Sequence, residues 1–299
     1  RNNGRNFHRN HVFKAGRGVI RAKKSLGQNF LVDPRVARRI VEAVSPLKTD
    51  IIIEIGPGTG ALTRLLTERS GYVVAVEIDS RLVEELSRSM TASNLSVREA
   101  DALKVDWDSL VDEAVSGWKK ISGSASDPRV RVVANLPYYI STPIIERLMG
   151  LGARLFDLTL MLQKEVVDRI TSQPANREYG YLSVIVQYHA KARKLFEVPP
   201  SAFRPAPKVR SAIIRLEMKD HRELSEEEEK KFFALVSLAF SQRRKTILNN
   251  LKAAKSLFSA DIEAALQRSN IDPRRRAETL SLAEFLRLHR ELNSMPPSV

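Results

Sequence analysis

The sequence predicts an α/β fold: an open, mostly parallel sheet covered by helices, with an antiparallel hairpin at its edge and a small all-α domain after it. Three observations predict this. Short apolar segments alternate with helical patterns from residue 31 to 163, as right-handed βαβ crossovers do. The apolar segments show little in-and-out alternation, which fits strands buried on both faces. Beyond residue 219 only helical patterns remain.

The elements follow in order. "LVDPRVARRIVEAV" (31–44) offers Asp33 as a helix N-cap and Pro34 at the first helical position, followed by the stripe Val36, Ile40, Val41 and Val44. "DIIIEIG" (50–56) is a short apolar strand and "GALTRLLTERS" (60–70) a helix. "YVVAVEID" (72–79) is the second strand, "SRLVEELSRSM" (80–90) a helix and "LSVREAD" (95–101) the third strand. A helix near 106–115 and a Gly/Ser loop (116–127) lead to the strand "VRVVA" (130–134). A helix begins near Thr142, and "LFDLTLMLQ" (155–163) is the fifth strand. "YHAKARKLFEV" (188–198) and "VRSAIIRLEM" (209–218) form the edge hairpin around "PPSAFRPAPK". Helices near 225–241, 243–254, 259–268 and 281–293 make a small bundle, with capping-box spacing at Ser225/Glu228 and Ser281/Glu284. The expected segments are a basic flexible arm (1–22), a main domain (23–219) and a helical domain (220–299).

The 299 residues suffice for one large domain and one small one, and 43% apolar content supports a real core. Net charge of +14 points to a polyanionic partner, above all nucleic acid. Residues 1–24 hold eight Lys and Arg and no acid, an arm expected to be mobile until it meets phosphate. An organelle transit remnant would share that bias, although no serine precedes Ser25. The first residue is Arg, so trimming or processing is expected. The absence of cysteine excludes disulfides and thiolate metal sites, and five scattered histidines give no metal-ligand spacing, so no metal is expected. No uncharged apolar run approaches the ~18 residues of a membrane span, and no signal-peptide core opens the chain. No membrane partner, a cytoplasmic location (an organelle if the arm is a transit remnant) and a monomer are the expectations.

"EIGPGTGA" (54–61) joins a strand to a helix. Gly56, Gly58 and Gly60 permit a tight turn and close approach to a ligand. No Gly-Lys-Ser/Thr follows, which excludes a P-loop. Gly56, Gly58 and Ala61 satisfy G-x-G-x-x-A, and Glu77 ends the next strand, where a carboxylate would accept both ribose hydroxyls. A dinucleotide fold and an S-adenosylmethionine fold both predict these features. Asp101 ends the third strand on the same edge and can accept from an adenine amino group. Asn135 ends the fourth, so four strand ends converge on one cleft.

"NLPYYIS" (135–141) lies at the mouth of that cleft. Adenine N6 is a poor nucleophile because its lone pair is delocalised into the ring. Two acceptors holding its N–H groups would free that lone pair: the Asn135 side-chain oxygen and the backbone carbonyl of Leu136 or Pro137. Tyr138 can stack on an extruded base.

The set "KKSLGQNFLVD" (23–33), "EIGPGTGALT" (54–63), "NLPYYISTPII" (135–145), "MLQKEVVDRI" (161–170), "EVPPSAFRPAPKVRSAIIRL" (197–216) and "FSQRRKTILNNL" (240–251) resembles the small-subunit ribosomal RNA adenine dimethyltransferases, the kasugamycin-sensitivity family. The likeness runs from about residue 23 to 290 and leaves the basic arm outside it. It implies a Rossmann-like domain using S-adenosylmethionine, with S-adenosylhomocysteine as product. The implied reaction is N6,N6-dimethylation of two adjacent adenosines in a hairpin loop near the 3′ end of small-subunit RNA, within a late small-subunit precursor. It implies cofactor contacts at Asn29, Leu31, Gly56, Glu77, Asp101 and Asn135, beside Gly58 of the turn, with Gln28 helping to close the site. Asn135, Leu136, Pro137 and Tyr138 fall on the family's catalytic loop. Phe203 matches an aromatic that sandwiches the target base opposite Tyr138. Tyr139 receives no chemical role.

Gln242, Arg243, Arg244 and Lys245, expected to open the second helix of the small domain, join Lys252, Arg274, Arg275 and Arg276 as a candidate phosphate-contacting face for helical RNA. Two rival readings remain: the related large-subunit RNA adenine dimethyltransferases of macrolide resistance, and a ribosome-assembly or mitochondrial transcription factor that keeps the fold without methylating. A dehydrogenase would need a hydride-handling site, which the sequence does not offer.

Overall fold

The computed structural model describes residues 12–15, 18–220, 222–253 and 261–293. The chain folds as two compact units, Arg1–Lys164 with Leu195–Arg215, and Glu165–Lys194 with Leu216–Val299.

The first unit is built on a seven-stranded sheet: β1 (Asp50–Ile55), β2 (Tyr72–Glu77), β3 (Leu95–Glu99), β4 (Arg129–Asn135), β5 (Asp157–Gln163), β6 (Ala190–Val198) and β7 (Ser211–Met218). The last two belong to this unit through Leu195–Val198 and Ser211–Arg215. The order is β3-β2-β1-β4-β5-β7-β6. Strands β1 to β5 pair in parallel, and the whole sheet is mixed. Ile51, Ile52 and Ile53 are fully buried, which explains why β1 shows no alternation. The order reverses between β1 and β4, and at such a switch point the carboxyl ends of the strands leave a crevice for a ligand.

Helix Pro34–Val44 leads into β1, and helices Thr63–Arg69, Ser80–Ser89, Trp107–Ser122 and Ser141–Gly150 connect the strands that follow. Asp33 caps the first, accepting from Arg35 N, with Pro34 at its start. The second begins at Thr63 rather than residue 60, because Gly56, Gly58 and Gly60 all hold positive φ. The fourth runs on to Ser122, past the expected end at 115, burying Trp118 and stopping at Gly123 (φ 63°). The amino ends of the strands carry a buried ion network. Arg131 binds Asp157 through two hydrogen bonds of 2.8 and 2.7 Å and reaches Asp50 at 3.1 Å, while Arg129 and Arg215 pair with Asp50 and Asp157.

The second unit is helical. Helices Glu226–Ala239, Ile247–Lys252, Ile262–Arg268 and Leu282–Asn293 bury Phe232, Val236, Leu251, Leu266 and Phe285 in one core. Both capping boxes form, Ser225 with Glu228 and Ser281 with Glu284. Two further helices, Lys164–Ile170 and Tyr181–His189, were not anticipated. The second is buried on nearly every side, so it shows no polar face for periodicity to detect. Tyr179, Val184 and Tyr188 join the core of this unit. The packing therefore divides the chain differently from the segments 23–219 and 220–299.

Within the basic arm, Val12–Ala15 and Gly18–Arg21 pair antiparallel. Residues 1–11, 16 and 17 of that arm lie outside the described residues, as do 254, 259 and 260 of the second and third expected bundle helices and 255–258 between them. Among the described residues no helix is long and apolar enough to cross a membrane.

Candidate active site

The carboxyl edge of the sheet holds a cleft within the first unit. It is lined by all twelve residues assigned to it from sequence: Gln28, Asn29, Leu31, Gly56, Gly58, Glu77, Asp101, Asn135, Leu136, Pro137, Tyr138 and Phe203.

The glycine turn forms the floor. Gly56 (φ 67°) and Gly58 (φ 58°) adopt a conformation that side-chain-bearing residues rarely take. A Cβ on Gly58 would lie 3.1 Å from the Phe30 ring. The Gly58 N–H instead donates to Glu77 Oε2 at 3.2 Å, while Ile78 N and Asp79 N each donate to Oε1 at 3.0 Å. Three backbone donors thus fix the Glu77 carboxylate at the end of β2. Burial pushes its pKa up, and hydrogen bonds from Asp79 and Gly58 pull it back.

Asp101 accepts from Leu103 N at 2.9 Å through Oδ1. It caps no regular helix, since the next one begins at Trp107 under the Asp106 cap. Ile78, 47% exposed, presents apolar surface in the same cleft. An adenosine group fits this set. Glu77 has lone pairs left for ribose hydroxyls, Asp101 Oδ2 can accept from an amino group, and Ile78 offers a flat ring a dry face.

The segment "KKSLGQNF" closes one side. Asp79, its side chain fully buried, accepts from Lys23 Nζ at 3.0 Å, Gln28 Nε2 at 3.0 Å and Arg81 at 3.0 and 2.6 Å. Arg81 above all, with Gln28 and Lys23, holds the Asp79 carboxyl far below the usual range against the opposing effect of burial. Gln28 Oε1 also accepts from Lys23 N at 2.7 Å. Phe30–Leu31 then pairs antiparallel with Phe203–Arg204, setting Leu31 opposite Phe203.

On the loop that follows β4, Asn135 donates through Nδ2 to the Asn29 carbonyl at 3.3 Å, which leaves Oδ1 as an acceptor. The two candidate carbonyls differ. Pro137 O already accepts from Ile140 N at 3.2 Å, whereas Leu136 O has no hydrogen bond among the described residues. Leu136 itself is buried, its N–H donated to Met161 O at 3.3 Å. Tyr138 is half-buried and shares a 2.9 Å hydrogen bond with Ser211 Oγ. Burial pushes its pKa up. Phe203 reaches the cleft wall but is 1% exposed, packed with Leu31, Met161 and Ala202. Its pairing with Leu31 makes it an anchor of the wall, with almost no free face for a base.

Three residues of this region were not singled out from sequence. Asp79 and Ile78 sit just after Glu77, and Glu54 lies inside β1. Glu54 lines the cleft, is buried, and has its Oε2 without a hydrogen-bond partner. Burial pushes its carboxyl up to about 8, with the charge of Glu77 adding to the shift. The signal is present in the sequence: an acid, Glu54, flanked by isoleucines within the run "DIIIEIG".

The basic candidates lie in the second unit. Gln242 to Lys245 form a turn ahead of the helix, not its first residues, because Thr246 caps the helix by accepting from Asn249 N. Backbone bonds from Ile247 N to Arg275 O (2.7 Å) and Leu248 N to Pro273 O (3.4 Å) bring this turn beside the "PRRRA" loop. Arg244, Lys245 and Arg276 are exposed, with no ion pair among the described residues. Arg243 binds the Arg177 carbonyl and Glu278, Lys252 pairs with Glu263, and Arg274 pairs with Asp272. Arg275 is tied to Thr279 and Glu284.

The model of the ribosomal RNA adenine dimethylase family matches residues 19–294. Ribosomal RNA small subunit methyltransferase A of Clostridium acetobutylicum is 42% identical over 274 residues, 91% of this chain and 94% of the relative. Among solved structures, a dimethyladenosine transferase from Plasmodium falciparum superposes with a TM-score of 0.71 at 26% identity, covering 89% of this chain and 98% of that one. The 23S rRNA methyltransferase ErmE shares the fold, with a TM-score of 0.62 at 24% identity, covering 89% of this chain and 100% of its own.

Proposed function

The chain belongs to the ribosomal RNA adenine dimethylase family, and from that premise we propose that it methylates N6 of adenosines in small-subunit ribosomal RNA. The substrate proposed is the pair of adjacent adenosines in the 3′-terminal hairpin loop, presented by a late small-subunit precursor. The observation that carries the reading is the pair of open acceptors at the end of β4, Asn135 Oδ1 and Leu136 O, in a cleft also lined by Glu77, Ile78 and Asp101.

Glu77, Asp101, Ile78 and the Gly56–Gly58 turn hold the cofactor's adenosine end. S-adenosylmethionine supplies an activated sulfonium methyl when bound, so no strong base is required. In the first transfer Asn135 Oδ1 and Leu136 O hold the two N6–H groups of the target adenine, turning the lone pair toward the methyl; in the second they hold the one N6–H that remains, and each transfer leaves S-adenosylhomocysteine and releases one N6 proton to solvent. Tyr138, steadied by Ser211, stacks on the extruded ring. Orientation and these fixed dipoles supply most of the rate. Phe203 supports Leu31 and the wall behind the base. Arg244, Lys245 and Arg276 dock helical RNA through phosphates.

A monomer acting in the cytoplasm completes the proposal.

The test incubates the protein with labelled S-adenosylmethionine and undermethylated small subunits, beside an Asn135→Ala control, and separates the digested nucleosides. Dimethyladenosine from the wild type and none from the variant is the expected result. Small-subunit binding without methyl transfer would favour an assembly factor, and label in large-subunit RNA alone would favour the resistance-type activity.

A further inference from the structure

Among the described residues, two of the exposed large apolar side chains line the cleft: Ile78 and Tyr139. The cofactor's adenosine end accounts for Ile78. Tyr139 is 62% exposed and has no part in the chemistry described above.

Tyr139 lies in the short turn Tyr138–Ile140, which Pro137 separates from the two open acceptors of Asn135 and Leu136. Its neighbour Tyr138 is half-buried and bonded to Ser211, so the two rings are treated differently by the same loop. One edge of the Tyr139 ring rests against Gly27. A Cβ there would lie 3.1 Å from Tyr139 Cε1 and 3.6 Å from Pro137 Cβ, and Gly27 has φ of 60°. The ring is therefore propped from one side and open to solvent elsewhere. Gly27 closes the turn Lys24–Leu26, which carries the exposed Lys24. An exposed aromatic face at the mouth of a cleft that takes an extruded base, resting on the turn that carries an exposed cation, is the chemistry that binds single-stranded nucleic acid: the ring stacks on a base and the cation is available to phosphate.

We propose that Tyr139 stacks on the nucleobase adjoining the target adenosine and so sets the register of the RNA strand at the cleft. This rests on the adenosine-methylating reading above and deepens it. Tyr138 takes the base that enters the cleft, and Tyr139 takes the neighbour that stays at the mouth. The bland alternative is that Tyr139 only covers Gly27.

The test uses full-length wild type and the variants Tyr139→Ala, Tyr139→Phe and Tyr139→Trp. The probe is a small-subunit hairpin RNA with 2-aminopurine beside the target adenosine. Three quantities are read: fluorescence quenching of the probe, KM for undermethylated small subunits, and affinity for S-adenosylhomocysteine. Stacking predicts quenching by the wild type that Tyr139→Ala loses. It also predicts a rise in KM of about five- to a hundredfold in Tyr139→Ala, larger than any change in kcat. Phe and Trp restore both readouts, and product affinity stays level across the set. The proposal falls if Tyr139→Ala keeps the quenching and the KM. It also falls if Phe and Trp fail as Ala does, or if Ala lowers product affinity in step with RNA binding, which marks a structural cover. Absence of methylation of undermethylated small subunits by the wild type itself would remove the functional reading, and this inference with it.

Discussion

Gln28 Nε2 donates to Asp79 Oδ2 at 3.0 Å, across 51 residues of sequence. That bond fastens the "QNF" segment to the strand end that carries Glu77, whose carboxylate Asp79 also holds through its backbone N–H. Asp79→Asn removes the charge that Lys23, Gln28 and Arg81 share. Hydrogen bonds to a buried charge contribute about 1.5–3 kcal/mol. The expected result is a lower urea midpoint and S-adenosylhomocysteine affinity weaker by about tenfold. Calorimetric titration checks it, and undiminished affinity would show that the segment needs no clasp.

Glu54 gives stability an unusual pH dependence. Its carboxyl is raised from 4.5 to about 8 by burial, so the folded protein keeps a proton that the unfolded chain releases. A group raised on folding stabilises fully below its unfolded value, and that contribution is lost as pH climbs from 4.5 toward 8. Glu54→Gln mimics the protonated form and is free of this loss. At pH 8 the variant is expected to exceed the wild type by a few kcal/mol, since each pH unit in that window is worth about 1.36 kcal/mol. Near pH 5 the two should converge. Denaturant titrations at both pH values decide it, and a difference independent of pH would mean that Glu54 is charged in the fold.

Arg131 is the hub of the buried network at the opposite edge of the sheet, bonded to Asp50 and Asp157. Arg131→Met leaves both carboxylates buried, with Arg129 and the Leu47 N–H still on Asp50 and Arg215 on Asp157. Breaking such a network costs about 3–5 kcal/mol, with the lower end expected here because those two arginines remain. Methylation per folded molecule should persist, since no member of the network lines the cleft. A fall in turnover without a fall in the urea midpoint would contradict this.

Much of the site was legible because it obeys local rules. Gly56, Glu77, Asp101 and Asn135 each end a strand or follow one, and parallel strands put such residues on one edge. What stayed hidden depends on pairing between distant segments. Phe203 loses its free face by pairing with Leu31, and neither local sequence announces the other. The clasp at Asp79 joins residues 51 and 56 apart. Helix Tyr181–His189 escaped because its apolar run "YLSVIV" has no polar face, so its period could not be read. Glu54 was visible as an acid, but its raised pKa follows from burial between strands that set it opposite Ala75 and Val133.

The basic residues of the second unit should separate into two behaviours. Arg244, Lys245 and Arg276 are exposed and without ion pairs among the described residues, so they are available to phosphate. Replacing each by Ala should weaken RNA binding without lowering the urea midpoint. It should also reduce the slope of log affinity against log salt by about 0.7–0.9 for each phosphate no longer neutralised. Arg275 carries the same charge but spends it internally. Burial would raise the Glu284 carboxyl, yet bonds from Arg275 and Ser281 hold it down at about 2. Arg275→Ala should therefore lower the urea midpoint and leave the salt slope near that of the wild type. Its penalty should shrink in acid as Glu284 takes up a proton. Filter binding across a salt series, run beside denaturant titrations, distinguishes the two classes. A salt slope that falls for Arg275→Ala as it does for Arg244→Ala would place Arg275 on the RNA face after all.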